Sequence, residues 1–265
     1  MPELPEVETV ARAIRPSLLG RTICAVEVRW PNQARPDLQT VQQRPVGRCI
    51  EGVLRRGKLI VLQLGPGCAL SVHLRMTGRL QVFGAHAPEP AYTRAVLHLD
   101  DGARLIFTDA RKFGRLNVGR SVAALTVGLG PEPLARSFSA AWLGTELARR
   151  RRAIKPLLLD QSFIAGLGNI YTDESLFKAR VHPLRPACEL SEEEIKKLHR
   201  AMRSLLRRAI ECCGTSFDWG YEGGHMQALL QVYGRKGLPC KRCRAPVTRI
   251  LVAQRGTHLC EACQS

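Results

Sequence analysis

The chain has 265 residues, of which 45% are hydrophobic, so it can bury one large core or two ordinary ones and is not a disordered polymer. Lys and Arg number 40 against 23 Asp and Glu, and the formal charge of +17 favours a polyanionic partner. No run of 18 apolar residues occurs, and Glu3 and Glu6 stand where a secretion signal would be basic and then apolar, so we expect a soluble cytoplasmic protein with no membrane partner.

The N-terminal segment is predicted to form an amphipathic helix over residues 5–19. Pro5 stands near its start, Glu6 in its first turn and Gly20 at its end, which are residue types preferred at those positions. Apolar side chains recur at helical spacing, namely Val7, Val10, Ala11, Ile14 and Leu18. One face of this helix therefore belongs to a core.

Residues 22–118 change to short alternating or β-branched runs that predict strands. The runs are CAVEVRW, CIEGVL, KLIVLQL, ALSVHL, RLQVF, AVLHL and RLIF, with turn signals at 65–67 and 101–102 between some of them. Their regular spacing favours a β-sandwich or a β-barrel. The sequence Pro-Glu-Pro at 131–133 indicates a linker behind this region.

Helical periodicity follows the linker. Helices are predicted near 153–161, behind the Gly-Leu-Gly-Asn sequence at 166–169, and behind a capping box of Ser191 and Glu194. The third helix turns Ile195, Leu198, Met202, Leu205 and Ala209 inward and Lys196, Arg200, Arg203 and Arg207 outward. A basic face of this kind is more often solvated surface than a binding site.

Gly166 and Gly168 let the backbone approach a ligand closely, and the helix behind them points its free N–H groups at that place. On a basic protein, phosphate is the first candidate for the occupant. A glycine-rich turn between helices that binds nothing is the alternative.

Ten cysteines without an export signal are predicted to be reduced thiols rather than a disulfide framework. Four of them form two tight pairs with a hairpin's length of chain between, Cys240, Cys243, Cys260 and Cys263. This spacing is typical of one structural zinc, whereas a redox dithiol needs no second pair. Four thiolates leave no open coordination position, so the zinc is expected to hold structure and perform no chemistry. Arg255 would project from the hairpin tip between the pairs.

Pro2 would become the N-terminal residue after removal of Met1, and its secondary amine could then attack an aldehyde-level carbon. The product is an iminium ion, which withdraws electrons as a lysine Schiff base does. Glu3 lies beside the amine and could move protons at the same carbon. Glu6, one turn on, could support this chemistry or merely stabilise the start of the helix.

Seven motifs in order resemble those of the bacterial formamidopyrimidine-DNA glycosylases, bifunctional enzymes that remove oxidised purines from DNA. They are PELPEVET at 2–9, RGK at 56–58, HLRMTG at 73–78, DARKFG at 109–114, GLGNIY at 166–171, VYGRKG at 232–237, and the cysteine tail with QRGT at 254–257. The resemblance covers nearly the whole chain. It implies an α+β fold with an N-terminal helix and a two-layered β-sandwich, then a helix-two-turn-helix domain with a C-terminal β-hairpin zinc ribbon, and DNA in the cleft between the domains.

On this basis we expect three domains. The N-terminal catalytic β-sandwich domain would span 1–131, the helix-two-turn-helix DNA-binding domain 135–232 and the zinc ribbon 233–265.

The resemblance also implies catalytic roles. Pro2 would be the nucleophile that displaces the damaged base at C1′, and Glu3 the proton donor and shuttle for that step, with Glu6 in a supporting part. Lys58 would donate a proton in the β-elimination and contact a phosphate. Arg255 would serve the δ-elimination and grip the phosphates.

Met76, Arg111 and Phe113 fall where the family fills the hole left by a flipped nucleotide. Two apolar side chains and a planar guanidinium suit that task, because an extruded base leaves an unstacked void whose opening costs a few kcal/mol. Without the resemblance, core packing would be the simpler interpretation of Met76 and Phe113.

Three further residues are implied as DNA contacts. Asn169, at a helix N-terminus, would hold a phosphate near the lesion, and Lys155 and Arg150 would support the DNA backbone.

The sequence departs from the family pattern in three places. Tyr92 stands near the position of a frequent DNA-contacting histidine and is a conjectural replacement for it. The loop between Gly214 and Gln231 is shorter than the segment that closes over the damaged base in several relatives, which affects lesion preference more than chemistry. Ala110 replaces a frequent proline, a minor backbone change.

The sequence therefore predicts a monomeric DNA glycosylase and AP lyase of base excision repair with one structural zinc. Its partner would be double-stranded DNA that carries 8-oxoguanine, formamidopyrimidines or abasic sites, cut on both sides of the sugar by β,δ-elimination. One alternative is an endonuclease VIII-type glycosylase for oxidised pyrimidines, which Leu4 and the segment 111–114 do not resemble. Another is a non-catalytic zinc-ribbon DNA-binding protein, which would have no use for Pro2, Glu3 and Lys58 together.

Overall fold

The computed structural model describes residues 1–215 and 224–265, which divide into two compact units. Among the described residues, the first unit contains 1–2 and 6–127, and the second contains 3–5, 128–215 and 224–265. No helix within these ranges is long and apolar enough to cross a membrane. The loop predicted to be short, 214–231, lies partly outside the described residues.

The N-terminal helix α1 spans Leu4–Leu18, as its apolar periodicity predicts, and buries Val7, Val10, Ala11, Ile14 and Leu18. Within the first unit it is joined to the neighbouring strands by charged side chains. Arg15 Nε donates to the carbonyl of Val53 at 3.0 Å, and Arg55 Nε donates to Oε2 of Glu8 at 2.9 Å. Two short helices follow in this unit, α2 at Leu38–Gln43 and α3 at Val122–Leu125.

Nine strands form the two sheets of the β-sandwich among the described residues. They are β1 Ile23–Val28, β2 Ala34–Arg35, β3 Gly52–Arg56, β4 Leu59–Gln63, β5 Ala69–His73, β6 Arg79–Phe83, β7 Thr93–Leu99, β8 Arg104–Thr108 and β9 Arg115–Gly119. One sheet has the order β1-β7-β8-β6 and the other β2-β9-β5-β4-β3. All pairs are antiparallel except β2 with β9. Each of the seven predicted runs overlaps one of these strands.

The second unit is helical, with a β-hairpin near its C-terminal end. Its helices are α4 Ala140–Ala148, α5 Ile154–Leu158, α6 Asn169–Ala179 and α7 Glu192–Glu211, and the hairpin strands are β10 Thr248–Val252 and β11 Arg255–Leu259. The capping box of Ser191 and Glu194 is present, and all five residues predicted to face inward on α7 are buried. The predicted α+β fold class is therefore confirmed.

Two segments of the second unit differ from simple expectation. Residues 131–133, predicted to be a linker, are hydrogen-bonded to the rest of the unit: the N–H of Ala165 donates to the carbonyl of Pro131 at 3.1 Å. Arg203, expected to face solvent on α7, donates from Nη1 to the carbonyls of Pro133 and Ala135 at 2.8 and 2.7 Å. The basic face of α7 is thus partly structural, and the predicted domain boundaries stay predictions.

Candidate functional site

The carboxylate of Glu3 lies at the N-terminus of α6. Its Oε2 accepts hydrogen bonds from the N–H groups of Gly168 at 2.7 Å and Tyr171 at 3.3 Å, and its Oε1 accepts from Ile170 at 2.8 Å. These N–H groups lack intrahelical partners, and the helix dipole adds attraction for negative charge. The side chain is 2% exposed. The fold thereby fixes a carboxylate directly next in sequence to Pro2, which is also buried.

Gly166 and Gly168 make this approach possible. A Cβ at position 168 would lie 2.3 Å from Cδ of Glu3, and a Cβ at position 166 would lie 2.7 Å from Cδ1 of Leu4. The backbone therefore approaches side chains of this chain closely, whereas the sequence predicted approach to a ligand. Phosphate, the first candidate for these N–H groups, is a correction: the N–H groups of Gly168, Ile170 and Tyr171 bind the carboxylate of Glu3 instead.

Arg255 stands at the tip of the β10–β11 hairpin, as predicted, and is exposed. It pairs with Val252 across a two-residue turn in which Ala253 has φ 46° and Gln254 has φ 60°. Positive φ at both turn residues matches the right-handed twist of the strands, so the turn sets the register that places Arg255.

A buried network ties the strand behind Arg255 to α6. Lys155, with 0% exposure, donates from Nζ to Oδ1 of Asp173 at 2.6 Å, to Oγ1 of Thr257 at 2.7 Å and to the carbonyl of Gly256 at 3.3 Å. Oδ2 of Asp173 accepts from the N–H of His258 at 2.8 Å. Burial lowers the pKa of Lys155, and Asp173 opposes that shift. The pair therefore fixes β11 from its second residue onward.

This network corrects the role predicted for Lys155. Its ammonium has no exposed surface, so it cannot touch a DNA phosphate in this structure and instead holds the hairpin. Asn169 joins the same strand, because its Nδ2 donates to the carbonyl of Gly256 at 2.8 Å, and its buried Oδ1 has no hydrogen-bond partner. Arg150 donates to Oε2 of Glu146 at 2.6 Å and lies 4.8 Å from the ring centre of Phe163. DNA contacts by Asn169 and Arg150 stay predictions.

Met76, Arg111 and Phe113 form one exposed group, which we call the wedge cluster. Nη1 of Arg111 lies 3.3 Å from Sδ of Met76, and its guanidinium lies 4.7 Å from the ring centre of Phe113. Met76 is 36% exposed and Phe113 46% exposed, so neither is a core residue. Large apolar side chains gathered on the surface beside a guanidinium suit insertion into a base stack.

Asp109 holds the loop that carries this cluster. The carboxylate is buried and accepts from the N–H of Gly114 at 2.7 Å, the N–H of Arg111 at 3.2 Å, Nε2 of Gln33 at 3.2 Å and the hydroxyl of Thr77. A buried carboxylate is stable only when such donors satisfy its oxygens. Asp109 was not among the predicted site residues, although it opens the DARKFG motif.

The four predicted zinc ligands lie together, with their Sγ atoms all within 4.8 Å of one another. Tetrahedral coordination at a Zn–S distance of about 2.3 Å places sulfur atoms roughly 3.8 Å apart, so small movements would close the site around one ion. Burial raises the pKa of Cys240, but hydrogen bonds from the backbone N–H groups of Cys243 and Arg242, together with those of the Cys260 and Cys243 thiols, lower the pKa to about 7. The donor set fits one structural zinc with no position left for water.

The remaining predicted residues occupy defined places. Lys58 is 7% exposed and follows Gly57, whose φ is 57°, in the turn between β3 and β4. Glu6 is 2% exposed in the first turn of α1. Tyr92 is 63% exposed just before β7. Their roles stay predictions.

Comparison with known proteins explains why these features occur together. Three family models match: the formamidopyrimidine-DNA glycosylase N-terminal domain at 1–116, the H2TH domain of the same enzymes at 129–219, and the zinc finger found in FPG and IleRS at 237–265. The formamidopyrimidine-DNA glycosylase of Symbiobacterium thermophilum is 45% identical over 100% of this chain and 89% of that protein. The chain belongs to the formamidopyrimidine-DNA glycosylase family.

Solved structures agree with this family. The Lactococcus lactis formamidopyrimidine-DNA glycosylase, bound noncovalently to DNA with an AP site, aligns with a TM-score of 0.92 at 36% identity over 99% of both chains. A MutM complex with DNA containing carbocyclic 8-oxoguanine aligns with a TM-score of 0.93 at 37% identity over 100% of both chains. Family membership accounts for one structural zinc and does not favour the pyrimidine-specific or non-catalytic alternatives.

Proposed function

We propose that this chain excises oxidised purines, 8-oxoguanine and formamidopyrimidines, from duplex DNA in base excision repair and then cleaves the DNA at the resulting abasic site. One observation carries the proposal: the carboxylate of Glu3 is fixed at the N-terminus of α6, and Glu3 directly follows Pro2, which removal of Met1 would turn into a secondary-amine terminus. The membership of the family and the DNA complexes of its relatives support the same function. We propose further that the enzyme acts as a monomer in the cytoplasm.

Excision begins at Pro2 after removal of Met1. The amine nitrogen attacks C1′ of the damaged nucleotide, a nitrogen–carbon bond forms, and the glycosidic bond breaks with its electron pair leaving on the base. Glu3 accepts the proton that the amine loses and returns it to the departing base, so charge balances at both ends. The nitrogen lone pair then breaks the C1′–O4′ bond, O4′ takes up a proton from water, and an iminium ion forms between Pro2 and C1′.

Strand cleavage follows from the electron-withdrawing iminium ion. Removal of a proton from C2′ lets the 3′ phosphate leave by β-elimination, and a second elimination releases the 5′ phosphate. Lys58 serves the first step as proton donor and phosphate contact. Arg255 grips phosphate at the hairpin tip and serves the second, because a guanidinium stabilises the charge that leaves with the phosphate.

Access to the damaged base requires that it leave the helix. The wedge cluster fills the space it vacates, with Met76 and Phe113 replacing stacking contacts and Arg111 meeting the orphaned partner base. Without these side chains in the vacated space, the DNA with the extruded nucleotide would be destabilised by the full free energy of the lost stacking contacts.

Borohydride trapping tests this proposal. The native chain is expected to form a reducible covalent adduct with DNA containing 8-oxoguanine opposite cytosine, and less with DNA containing an oxidised thymine. Mass analysis of the digested adduct places the sugar on Pro2. A form with one extra residue ahead of Pro2 serves as the control, and equal trapping by that form would show that the nucleophile lies elsewhere.

A further inference from the structure

A pocket of about 510 Å³ opens within the second unit, beside the C-terminal half of α6. Its walls come from α6, from α7 and from the segments 226–231 and 241–242. Four apolar side chains line it, namely Phe177, Leu205, Met226 and Leu229. Small-molecule sites in proteins have volumes of about 300–1,000 Å³ and a largely apolar lining. The pocket therefore has the size and the lining of a ligand site.

Positive charge gathers around the same space. The cations that line the pocket come from α6, from α7 and from the segment 241–242, namely Lys178, Arg208, Lys241 and Arg242. All four are exposed. Among the described residues of the lining, Glu174 is the sole acid. Like charges drawn together from three segments repel one another, so an anion in the pocket would stabilise the arrangement.

Glu174 does not neutralise these cations. Its Oε1 accepts hydrogen bonds from the N–H groups of Val232 and Tyr233, both at 2.8 Å, and its Oε2 accepts from the N–H of Gln231 at 2.9 Å. The residue is 2% exposed, and burial raises its pKa against the effect of these donors. Within the described chain its carboxylate thus binds backbone N–H groups, and a ligand must supply the negative charge that the pocket lacks.

The cations retain hydrogen-bond donors for such a ligand. Nζ of Lys178 donates to Oγ of Ser204 at 2.8 Å, and Nη1 of Arg208 donates to Oε2 of Glu211 at 3.1 Å. An ammonium group has three N–H donors and a guanidinium has five, so each of the two side chains keeps more than one. The pair of Arg208 with Glu211 is exposed, and exposed ion pairs contribute little stability. Arg208 can therefore turn to an anion in the pocket.

Arg242 joins the charged part of the pocket to the apolar part. Its guanidinium lies 4.4 Å from the ring centre of Phe177, and its Nη1 donates to the carbonyl of that residue at 3.4 Å. The neighbouring Lys241 donates from Nζ to the carbonyl of Leu230 at 2.9 Å. The segment 241–242 is therefore fixed against two other walls of the pocket.

We propose that this pocket binds a small aromatic anion, with a planar apolar body and one phosphate or carboxylate group. The body would contact Phe177 and Met226, because aromatic rings pack favourably on aromatic side chains and on thioethers. The anionic oxygens would accept charge-assisted hydrogen bonds from Lys178 and Arg208. A neutral ring would lack the second set of contacts, and a free phosphate would lack the first.

This pocket differs from the place that holds Glu3. Phe177 follows Asn169 by eight residues on α6, so the pocket lies roughly 12 Å along the helix from the end that binds the carboxylate. The proposed ligand is therefore not the damaged base, and the proposal does not rest on the proposed function.

The fluorescent dye 8-anilinonaphthalene-1-sulfonate is the probe, because it has an aromatic body and one sulfonate group that stands in for the natural anion. Titrated into the folded, zinc-containing chain, it should bind saturably at one site. N-phenyl-1-naphthylamine has the same rings without the sulfonate and should bind about tenfold more weakly, because it lacks the hydrogen bonds to charged groups. Equal affinity for the two dyes would show that the cations take no part and would overturn the proposal.

Two neighbouring arginines of α7 provide the matched variants. Arg208→Ala removes a cation of the pocket and should lower the affinity for the sulfonate dye about fivefold. Arg207→Ala removes the same charge from an exposed position that is not among the described lining residues, and it should leave the affinity unchanged. Lys178→Ala should act as Arg208→Ala does, which keeps the test decisive if that variant folds poorly. Equal losses in Arg207→Ala and Arg208→Ala would show a response to net charge alone and contradict the proposal.

Leu229→Gln tests the apolar part of the pocket. Leu229 is 41% exposed, so the substitution should not disturb folding, and it should weaken the binding of both dyes. Undamaged duplex DNA should not displace the sulfonate dye, because the pocket lies away from the end of α6 that holds Glu3. Displacement by DNA, or native affinity of Leu229→Gln for both dyes, would sink the assignment. Excision of 8-oxoguanine, measured on the same samples, tests the proposed function separately, since dye binding requires no DNA.

Discussion

Oε2 of Glu3 accepts a 2.7 Å hydrogen bond from the N–H of Gly168, the residue that caps α6 without a side chain of its own. Ser, Thr, Asp or Asn usually supplies this cap locally. Here a carboxylate from the start of the chain supplies it, so one contact both stabilises the helix and places the proposed proton shuttle. Substitution of Glu3 or Gly168 should therefore change both the free energy of unfolding and the rate of excision, and the two effects can be measured separately.

Glu3→Gln is expected to separate the two halves of the reaction. The amide keeps the shape of the side chain but cannot accept and return a proton, so the rate of excision of an intact base should fall by orders of magnitude. Each tenfold loss of rate corresponds to about 1.4 kcal/mol of lost transition-state stabilisation. An abasic site already has an aldehyde, so Pro2 should still form a borohydride-trapped adduct there. Equal loss on both substrates would show that Glu3 mainly positions Pro2.

Gly168→Ala should reproduce much of that defect without touching Glu3 chemically. The added Cβ would fall 2.3 Å from Cδ of Glu3 and displace the carboxylate. Excision should fall at least tenfold, measured in single turnover. Gly144→Ala is the matched control, because its Cβ would meet Ile195 no closer than 3.7 Å, and alanine favours the α4 helix by about 1 kcal/mol. If the two variants excise equally well, the carboxylate is not positioned by the α6 N-terminus.

Asp109→Asn should loosen the loop at 109–114, which carries Arg111 and Phe113 of the wedge cluster. The substitution replaces one carboxylate oxygen by an NH2 group, which cannot accept the hydrogen bonds that this oxygen accepted. The buried N–H groups left without an acceptor lower the stability by about 1–3 kcal/mol. We expect slower base extrusion, followed by the fluorescence of 2-aminopurine next to the lesion in stopped flow, while cleavage of a preformed abasic site changes less. Asp100→Asn, in an exposed turn of the same unit, should behave as the native chain. An unchanged rate of base extrusion in Asp109→Asn would show that the loop takes no part in that step.

Lys155→Met should destabilise the second unit and misplace Arg255. Removal of one partner leaves Asp173 charged and buried, a change that costs about 3–5 kcal/mol. Thermal unfolding measures the loss. Gel analysis of cleaved abasic DNA should show more β-product relative to δ-product, because the strand behind Arg255 loses its anchor. Arg255→Ala should give the same shift in product ratio without the loss of stability. If Lys155→Met instead gave the native product ratio, the buried network would not be what positions Arg255.

Zinc removal should act on DNA binding through the hairpin. Elemental analysis is expected to give one zinc per chain, and Cys260→Ser should lower zinc content and weaken DNA affinity. Cys188→Ser, at an exposed cysteine outside the cluster, should change neither. Protein purified without chelator that contains no zinc would contradict the assignment.

The strands, the main helices and the cysteine cluster could be predicted because their signals are local. Period-two runs, the capping box at Ser191 and paired cysteines each lie within a short stretch of chain. The strand β9 and the helix α4 were not predicted, since the run RLNVG directly follows a loop motif and α4 is short and weakly patterned. Their formation depends on partners such as β5 and α7 that are distant in sequence.

The site was predicted less completely, because its contacts are long-range. Nothing local in the sequence says that the N–H groups behind Gly168 bind Glu3 rather than phosphate, or that Lys155 is buried against Asp173. In both cases a hydrogen-bond donor was expected to face DNA, whereas a buried carboxylate accepts its hydrogen bond. The acids that do this, Glu3 and Asp173, come from distant parts of the chain, so no local pattern identifies them as the partners.

The bond between Glu3 and Gly168 spans 165 residues, which has a consequence during synthesis. At about 5–20 residues per second, a ribosome needs roughly ten to thirty seconds to make the segment that receives this carboxylate. Through that interval the chain start has neither its helix partner nor the fixed acid beside Pro2. Under the proposed function, a nascent chain therefore carries its Pro2 amine without the positioned acid, and reactivity toward damaged sugars begins only when most of the protein exists.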